Sequence, residues 1–443
     1  MIEFINKYLI GITVPILLII AGIFYTVLLK CFHITKPKEI IRAMLTRDKQ
    51  EGVSPFGAVT VALAGTLGVG NIVGVAAAIG LGGFGAIFWM WISALCAMLL
   101  KYAEIVLAML HRRYDKDGEP HGAAVYYILD FFSSLHLSKL GGIIAGIFAI
   151  LSIINAITMG SMIQANAVAE SFEGVWGLNP VICGIILSVL VGSIIFRGTR
   201  SIAKFTEILV PIMSLGYIVI SLAAIIVKKD MIATALSGII SDAFSLSSAA
   251  GGILGFILSR SLRFGAMRGL ISNEAGCGTA PTAHSISNSE SAVEQGFWGI
   301  FEVFTDTIIL CTMTALVIII NYDQLKYRGS WIMLTIDAYS SVFGNAASVF
   351  LNIAVLCFGF ATIVCWAHYG IESIGYFTRK KAAKNLFIIV YCISTFSGAF
   401  TASEAIWNIA DLAIGFMTLI NTPIICFMSQ EVKKETVLYF HNN

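Results

Sequence analysis

Two glycine-rich stretches hold the residues best suited to chemistry. AGTLGVGNIVG, Ala64 to Gly74, sets Asn71 among Gly65, Gly68, Gly70 and Gly74. SNEAGCGTAP, Ser272 to Pro281, follows Gly265 and Gly269 and, further upstream, Gly251, Gly252 and Gly255. A glycine inside a helix costs about 1 kcal/mol relative to alanine, so both stretches are expected to interrupt helices at corresponding places in the two halves. An interrupted membrane helix releases carbonyls for a cation and amide groups for a carboxylate. Small residues four apart also form packing faces between helices, which is the expected role of Gly251 and Gly255. Packing does not call for an Asn beside Gly68 and Gly70, so these three are expected to bind a ligand.

Other polar residues sit singly in apolar runs. In SMIQANAVAE, Gln164 and Asn166 point to different sides; Gln164 is assigned to the site and Asn166 to an interhelical bond. In ATIVCWAHYG, Thr362 and Trp366 share one helix face, and Trp366 reads either as a pocket wall or as an interfacial belt residue. Lys101 and Glu104, three apart, are expected to neutralise each other. Asp306 has no Lys or Arg within four positions and is a candidate cation ligand or charge-compensating group. Glu207 and Asp411 follow the same logic more weakly.

Catalytic signatures are missing from the sequence. It has no HExxH, GxSxG or GxxxxGK[ST], and its seven histidines are scattered, with only His368 well inside an apolar run. Nine cysteines fall mostly within apolar runs without a CxxC pair, as small packing residues do. No enzyme, nucleotide-driven pump or cofactor is expected. A net charge of +2 argues against a nucleic-acid partner.

The elements that must position these residues are membrane helices. Of 443 residues, 58% are hydrophobic and 12% charged, against about a quarter charged in soluble domains, and the mean hydropathy is +0.87. Apolar runs lie near 9–29, 55–80, 84–110, 140–169, 180–196, 205–227, 243–262, 296–320, 346–376, 385–400 and 404–428. Each approaches the ~20 residues that cross a bilayer, and none alternates as a barrel strand would. The expected fold class is therefore an all-α integral membrane protein with eleven transmembrane helices, 1–443 forming one transporter domain. The first run lacks the basic start and cleavage site of a signal peptide and is expected to be a retained span.

Lys and Arg set the expected orientation. With the amino terminus outside, 22 of them fall on the cytoplasmic side, Arg260, Arg263 and Arg268 included, and five outside, with Lys101 inside a helix. The carboxyl terminus is then cytoplasmic.

Together AGTLGVGNIVGVAAAI (Ala64 to Ile79), GGFGAIFWMWISAL (Gly82 to Leu95), IAKFTEILVP (Ile202 to Pro211) and RGLISNEAGCGTAPTAH (Arg268 to His284) resemble the alanine or glycine:cation symporter family, from about Ser54 to Phe427. The resemblance implies a leucine-transporter-type fold: a leading helix (9–29), then two five-helix inverted repeats (54–227 and 243–428), with two broken helices. It implies Asn71 as a sodium ligand and Gly68 and Gly70 as backbone contacts to a substrate carboxylate. Gln164, Thr362 and Trp366 match family substrate residues. Ile271 stands where the family often has Phe, close to the substrate side chain.

The expected activity is sodium-driven uptake of alanine, glycine or D-alanine. Sodium would lie among carbonyls around Thr66 to Gly70, the Asn71 amide and Asp306, with Gln164 and Thr362 on the ammonium and Trp366 as a wall. Alternatives are proton coupling through Asp306 or Glu207, a glutamine- or serine-preferring carrier, and an amino-acid sensor that does not translocate. The expected location is a bacterial or archaeal plasma membrane, with the bilayer as a partner; the oligomeric state is not legible.

Overall fold

The computed structural model describes residues 4–45, 52–116, 118, 120–244, 260–327, 329–401 and 403–442. Apart from short helices at Phe32–Thr35 and Pro37–Leu45 and isolated 3-10 turns, its helices in chain order begin with α1 (Tyr8–Leu28), the pair α2 (Pro55–Thr66) and α3 (Gly70–Gly82), and α4 (Gly85–Leu110). Then come α5 (Ala124–Ser134), α6 (Ser138–Trp176), α7 (Pro180–Ile195), α8 (Thr199–Val227) and α9 (Ile232–Ala243). The remainder are α10 (Arg260–Asn273), α11 (Ala280–His284), α12 (Ala292–Ile320), α13 (Trp331–Phe343), α14 (Asn345–Phe377), α15 (Lys381–Gly398), α16 (Ser403–Phe427) and α17 (Ser429–Asn442). A small hairpin of β1 (Arg113–Tyr114) and β2 (Pro120–His121) joins α4 to α5.

Among the described residues, seven helices (α1, α4, α6, α8, α12, α14 and α16) are long and apolar enough to cross a membrane. The α2–α3 pair makes an eighth if it counts as one span. Their outward faces are apolar: Ile143, Ile147 and Ile150 on α6, and Ile208, Ile212, Leu215 and Val219 on α8, recur every three or four residues and are all exposed. The buried interior instead holds Lys101, Glu104, Glu274, Glu302 and Asp306. That inversion suits lipid as the surrounding solvent.

Local chemistry starts these helices where they start. Ser54 caps α2 by accepting from the Gly57 amide at 2.9 Å, with Pro55 in the first turn. Asn179 and Pro180 do the same for α7, and Ser291 for α12.

Both glycine-rich stretches break their helices. The chain bends by 50° between α2 and α3. Between α10 and α11, Glu274, Gly276 and Gly278 have φ of 53°, 80° and 81°, the left-handed region that helices cannot use and that glycine enters without penalty.

The second break lies later than the apolar run at 243–262 suggests. Residues 245–259, with Gly251, Gly252 and Gly255, fall outside the described residues, and the interrupted helix runs from Arg260 to His284. Its polar break lowers its hydropathy, so a search for apolar residues passes over it. Arg260 donates to the Leu81 carbonyl, and the Gly85 amide donates to Asp242. Arg260, Arg263 and Arg268 therefore lie toward the end that carries Lys228 and Lys229, not the end that carries Arg112 and Arg379. This correction narrows the Lys and Arg asymmetry without reversing it.

Candidate substrate and cation site

The site forms where the two breaks face α6, α12 and α14. At the first break, the Gln164 side-chain oxygen accepts from the Val69 amide at 3.0 Å, and its nitrogen donates to the Met159 carbonyl. Thr362 donates to the Ala64 carbonyl at 2.7 Å, and the Trp366 indole donates to the Gly65 carbonyl at 3.3 Å. The bonds to Val69, Ala64 and Gly65 each take up a backbone group that the bend between α2 and α3 would leave unpaired, and the bond to Met159 fixes the Gln164 amide on its own helix.

Two glycines there have opposite surroundings. A Cβ on Gly68 would lie 2.8 Å from the Thr362 hydroxyl and 2.9 Å from the Gln164 oxygen, whereas a Cβ on Gly70 would meet nothing within 4 Å. Gly68 is thus required by packing, and Gly70 borders open space. Trp366 is fully buried and packs against Gly160, as a core wall and not a belt residue.

Asn71 and Asp306 meet across the break. The Asn71 amide nitrogen donates to the Asp306 carboxylate at 2.7 Å and to its backbone carbonyl at 3.2 Å, while the Asn71 side-chain oxygen is buried without a partner. The other carboxylate oxygen of Asp306 accepts from Ser272 at 2.6 Å and from Thr307 at 2.7 Å. Asp306 is therefore held by hydrogen bonds alone, with no ion pair to it among the described residues.

Lys101 does not pair with Glu104. Its ammonium donates to Glu302 at 2.7 Å and to the Asn273 carbonyl at 2.6 Å. Glu302 also accepts from Thr66 at 3.2 Å and meets His284 at 3.1 Å. Glu104 instead accepts from the Gly276 and Gly278 amides at 2.9 and 2.8 Å and from Asn421 at 2.6 Å. Spacing on one helix was a poor guide because the second break offers Glu104 free amides and Lys101 a free carbonyl.

The remaining candidates lie apart. Ile271 lines a separate cavity of about 230 Å³ with Asp411 and Arg263. Glu207 accepts from Ser54 beside the start of α2, and Asn166 donates to the Thr401 carbonyl. Residues that sequence reading passed over are Ser272, Thr307, Glu302 and His284. One available signal was that Glu302 and Asp306, at i and i+4, put two acids on one face of a membrane helix.

A sequence profile described as the sodium:alanine symporter family matches residues 1–443. The chain belongs to the sodium:alanine symporter family. It is 32% identical over 440 residues to the sodium/alanine symporter AgcS of Methanococcus maripaludis, covering 98% of this chain and 95% of that one. To the probable sodium/glutamine symporter GlnT of Bacillus subtilis it is 34% identical over 426 residues, covering 94% and 85%. Its fold is similar to that of MhsT, solved in complex with L-phenylalanine, with a TM-score of 0.58 at 16% identity over 86% of this chain and 90% of that one. The protein is accordingly a membrane transporter and not an enzyme.

Proposed function

We propose that this chain takes up a small neutral amino acid, alanine, glycine or D-alanine, together with sodium, by alternating access. The observation that carries the reading is the Asn71 side-chain oxygen, buried without a partner while its own amide holds Asp306, beside the open space at Gly70. An oxygen ligand and a carboxylate suit a monovalent cation. The same interior buries four carboxylates (Glu104, Glu274, Glu302 and Asp306) around Lys101, and in a low dielectric that excess favours an added positive charge.

Sodium would then be held by Asn71, Asp306 and backbone near Thr66, with the substrate carboxylate beside it at Gly68 and Gly70. Gln164 and Thr362 would receive the ammonium. The crowding at Gly68 and the packed Trp366 favour a small side chain, while one relative is named a probable sodium/glutamine symporter. Eleven spans, a leading helix at 9–29 and two five-helix inverted repeats at 54–227 and 243–428, with the amino terminus outside a prokaryotic plasma membrane, complete this reading. The inner end is latched by the Asn288 amide on the Val53 carbonyl at 2.8 Å and by Arg112 on the Ser287 carbonyl at 2.7 Å. Inward opening would have to release both.

Equilibrium binding of alanine across a sodium titration tests the site. If sodium touches both Asn71 and the carboxylate, each ligand raises the affinity of the other by the same factor. Asn71→Ala should weaken both, with part of the alanine affinity regained at high sodium. Gln164→Ala should weaken alanine alone. Alanine binding that ignores sodium in the wild type would make proton coupling the leading reading.

A further inference from the structure

The interior has a second region that the site above does not use. Between α3, α6, α10 and α16 lies a cavity of about 340 Å³, within the size range of small-molecule sites, lined by Glu170, Arg268, Tyr327, Trp331, Glu404 and Trp407. Its floor includes Val73 and Ile163, next to the first break and to Gln164. It opens at the end of the bundle that holds Tyr327 and Trp331, which is the extracellular end in the proposed orientation.

Arg268 is the unusual member. Its guanidinium carbon lies 5.0 Å from the Trp407 ring centroid, and its stem passes 4.0 Å from where a Cβ on Gly74 would be. One terminal nitrogen is buried without a hydrogen-bond partner, although Arg268 also borders the smaller cavity that holds Asp411, whose carboxylate lies within electrostatic range of it. A buried guanidinium donor left unpaired costs stability unless an acceptor arrives, and its fork suits a carboxylate. A simple anion would be repelled by Glu170 and Glu404 on the same cavity, and a simple cation by Arg268. A zwitterion satisfies both, its ammonium sharing the acidic groups and the aromatic faces.

We propose that this vestibule is an outer binding site for the amino-acid zwitterion, with Arg268 taking its carboxylate before it passes to Gly68 and Gln164. The proposal rests on the transport reading and adds to it a first station and a residue that sets capture.

The test is uptake of alanine, glycine, serine and glutamine into sodium-energised liposomes holding the full chain, as wild type, Arg268→Gln, Arg268→Lys and Glu170→Gln. For the best substrate, Arg268→Gln should raise KM about tenfold with Vmax within about twofold, the loss of one charge-assisted contact. Arg268→Lys should restore most of the loss because it keeps the charge, and Glu170→Gln should shift KM in the same direction by about threefold. Equilibrium binding to purified protein at saturating sodium, dominated by the inner site, should stay within about twofold in Arg268→Gln. Unchanged KM in Arg268→Gln and Glu170→Gln would overturn the vestibule alone, as would an equal loss of equilibrium binding. No wild-type uptake of any substrate on the panel would overturn the transport reading, and the vestibule with it.

Discussion

Glu302 ties three other helices together: it meets Thr66 of α2, Lys101 of α4 and His284 of α11. Removing its charge leaves the Lys101 ammonium buried and unpaired, which costs about 3–5 kcal/mol. Glu302→Gln should therefore lower the thermal unfolding midpoint in detergent strongly, and the Lys101→Met, Glu302→Gln pair should unfold at a higher temperature than Glu302→Gln alone. The two glycines of the first break should separate stability from binding. Gly68→Ala drives a methyl into Thr362 and Gln164 and should reduce both the midpoint and alanine binding. Gly70→Ala should fold with a near-normal midpoint yet bind alanine at least about tenfold more weakly, because its methyl enters the open space a carboxylate needs. Equal midpoints for the two variants would show that the crowding at Gly68 relaxes freely.

At the level of elements, the hairpin after α4 is tied to α14 by one titratable group. His121 meets Glu372 at 2.9 Å and Asp115 at 3.3 Å. The hydrogen bond that His121 donates to Glu372 leads in raising the His121 pKa above its ordinary 6.5, against burial and Arg379, which lower it. A histidine whose folded pKa is raised stabilises docking fully below 6.5, and that contribution is lost as pH rises through the raised value. Amide exchange of Arg113, Tyr114 and His121 should accordingly speed up beyond its intrinsic rate as pH rises above 6.5, and His121→Gln should abolish that excess. An excess retained in His121→Gln would assign the pH dependence to another group. The same elements explain why two interrupted helices survive in an apolar interior. Gln164, Thr362 and Trp366 occupy the polar backbone of one break, and Glu104 and Lys101 that of the other.

For the whole molecule, the two ends differ in what lines them: one carries the bonds through Val53, Arg112 and Ser287 and a cavity of about 650 Å³ beside His121, Glu372 and Arg379, and the other carries the Arg268 cavity of about 340 Å³. Single cysteines at Lys38 and Lys381, in a cysteine-free background, should react with membrane-impermeant reagents only from the cytoplasm. Cysteines at Lys229 and Arg260 should react only from outside. Labelling at Arg260 from the cytoplasm would restore a span at 243–262 and displace the break now placed between Arg260 and His284.

How much of this was legible follows from the range of the forces involved. Composition and the length of the apolar runs determined a helical membrane protein, because a bilayer requires long apolar spans whatever their packing. Glycine content located both breaks, since the cost of glycine in a helix is local, and a buried Asn beside them marked Asn71. Partner choice was not local. Lys101 found Glu302 of a distant helix instead of Glu104 on its own, and Asp306 found Asn71, Ser272 and Thr307, because a buried polar group bonds to whatever the fold brings within about 3 Å. Nor could spacing reveal that Arg268 belongs to the end that carries Lys228 and Lys229, since the helix carrying it is too polar to count as a span. Residue type determined which groups needed partners in this protein, and only the tertiary structure, by bringing Lys101 to Glu302 and Asn71 to Asp306 across chain separations of 201 and 235 residues, decided which partners they have.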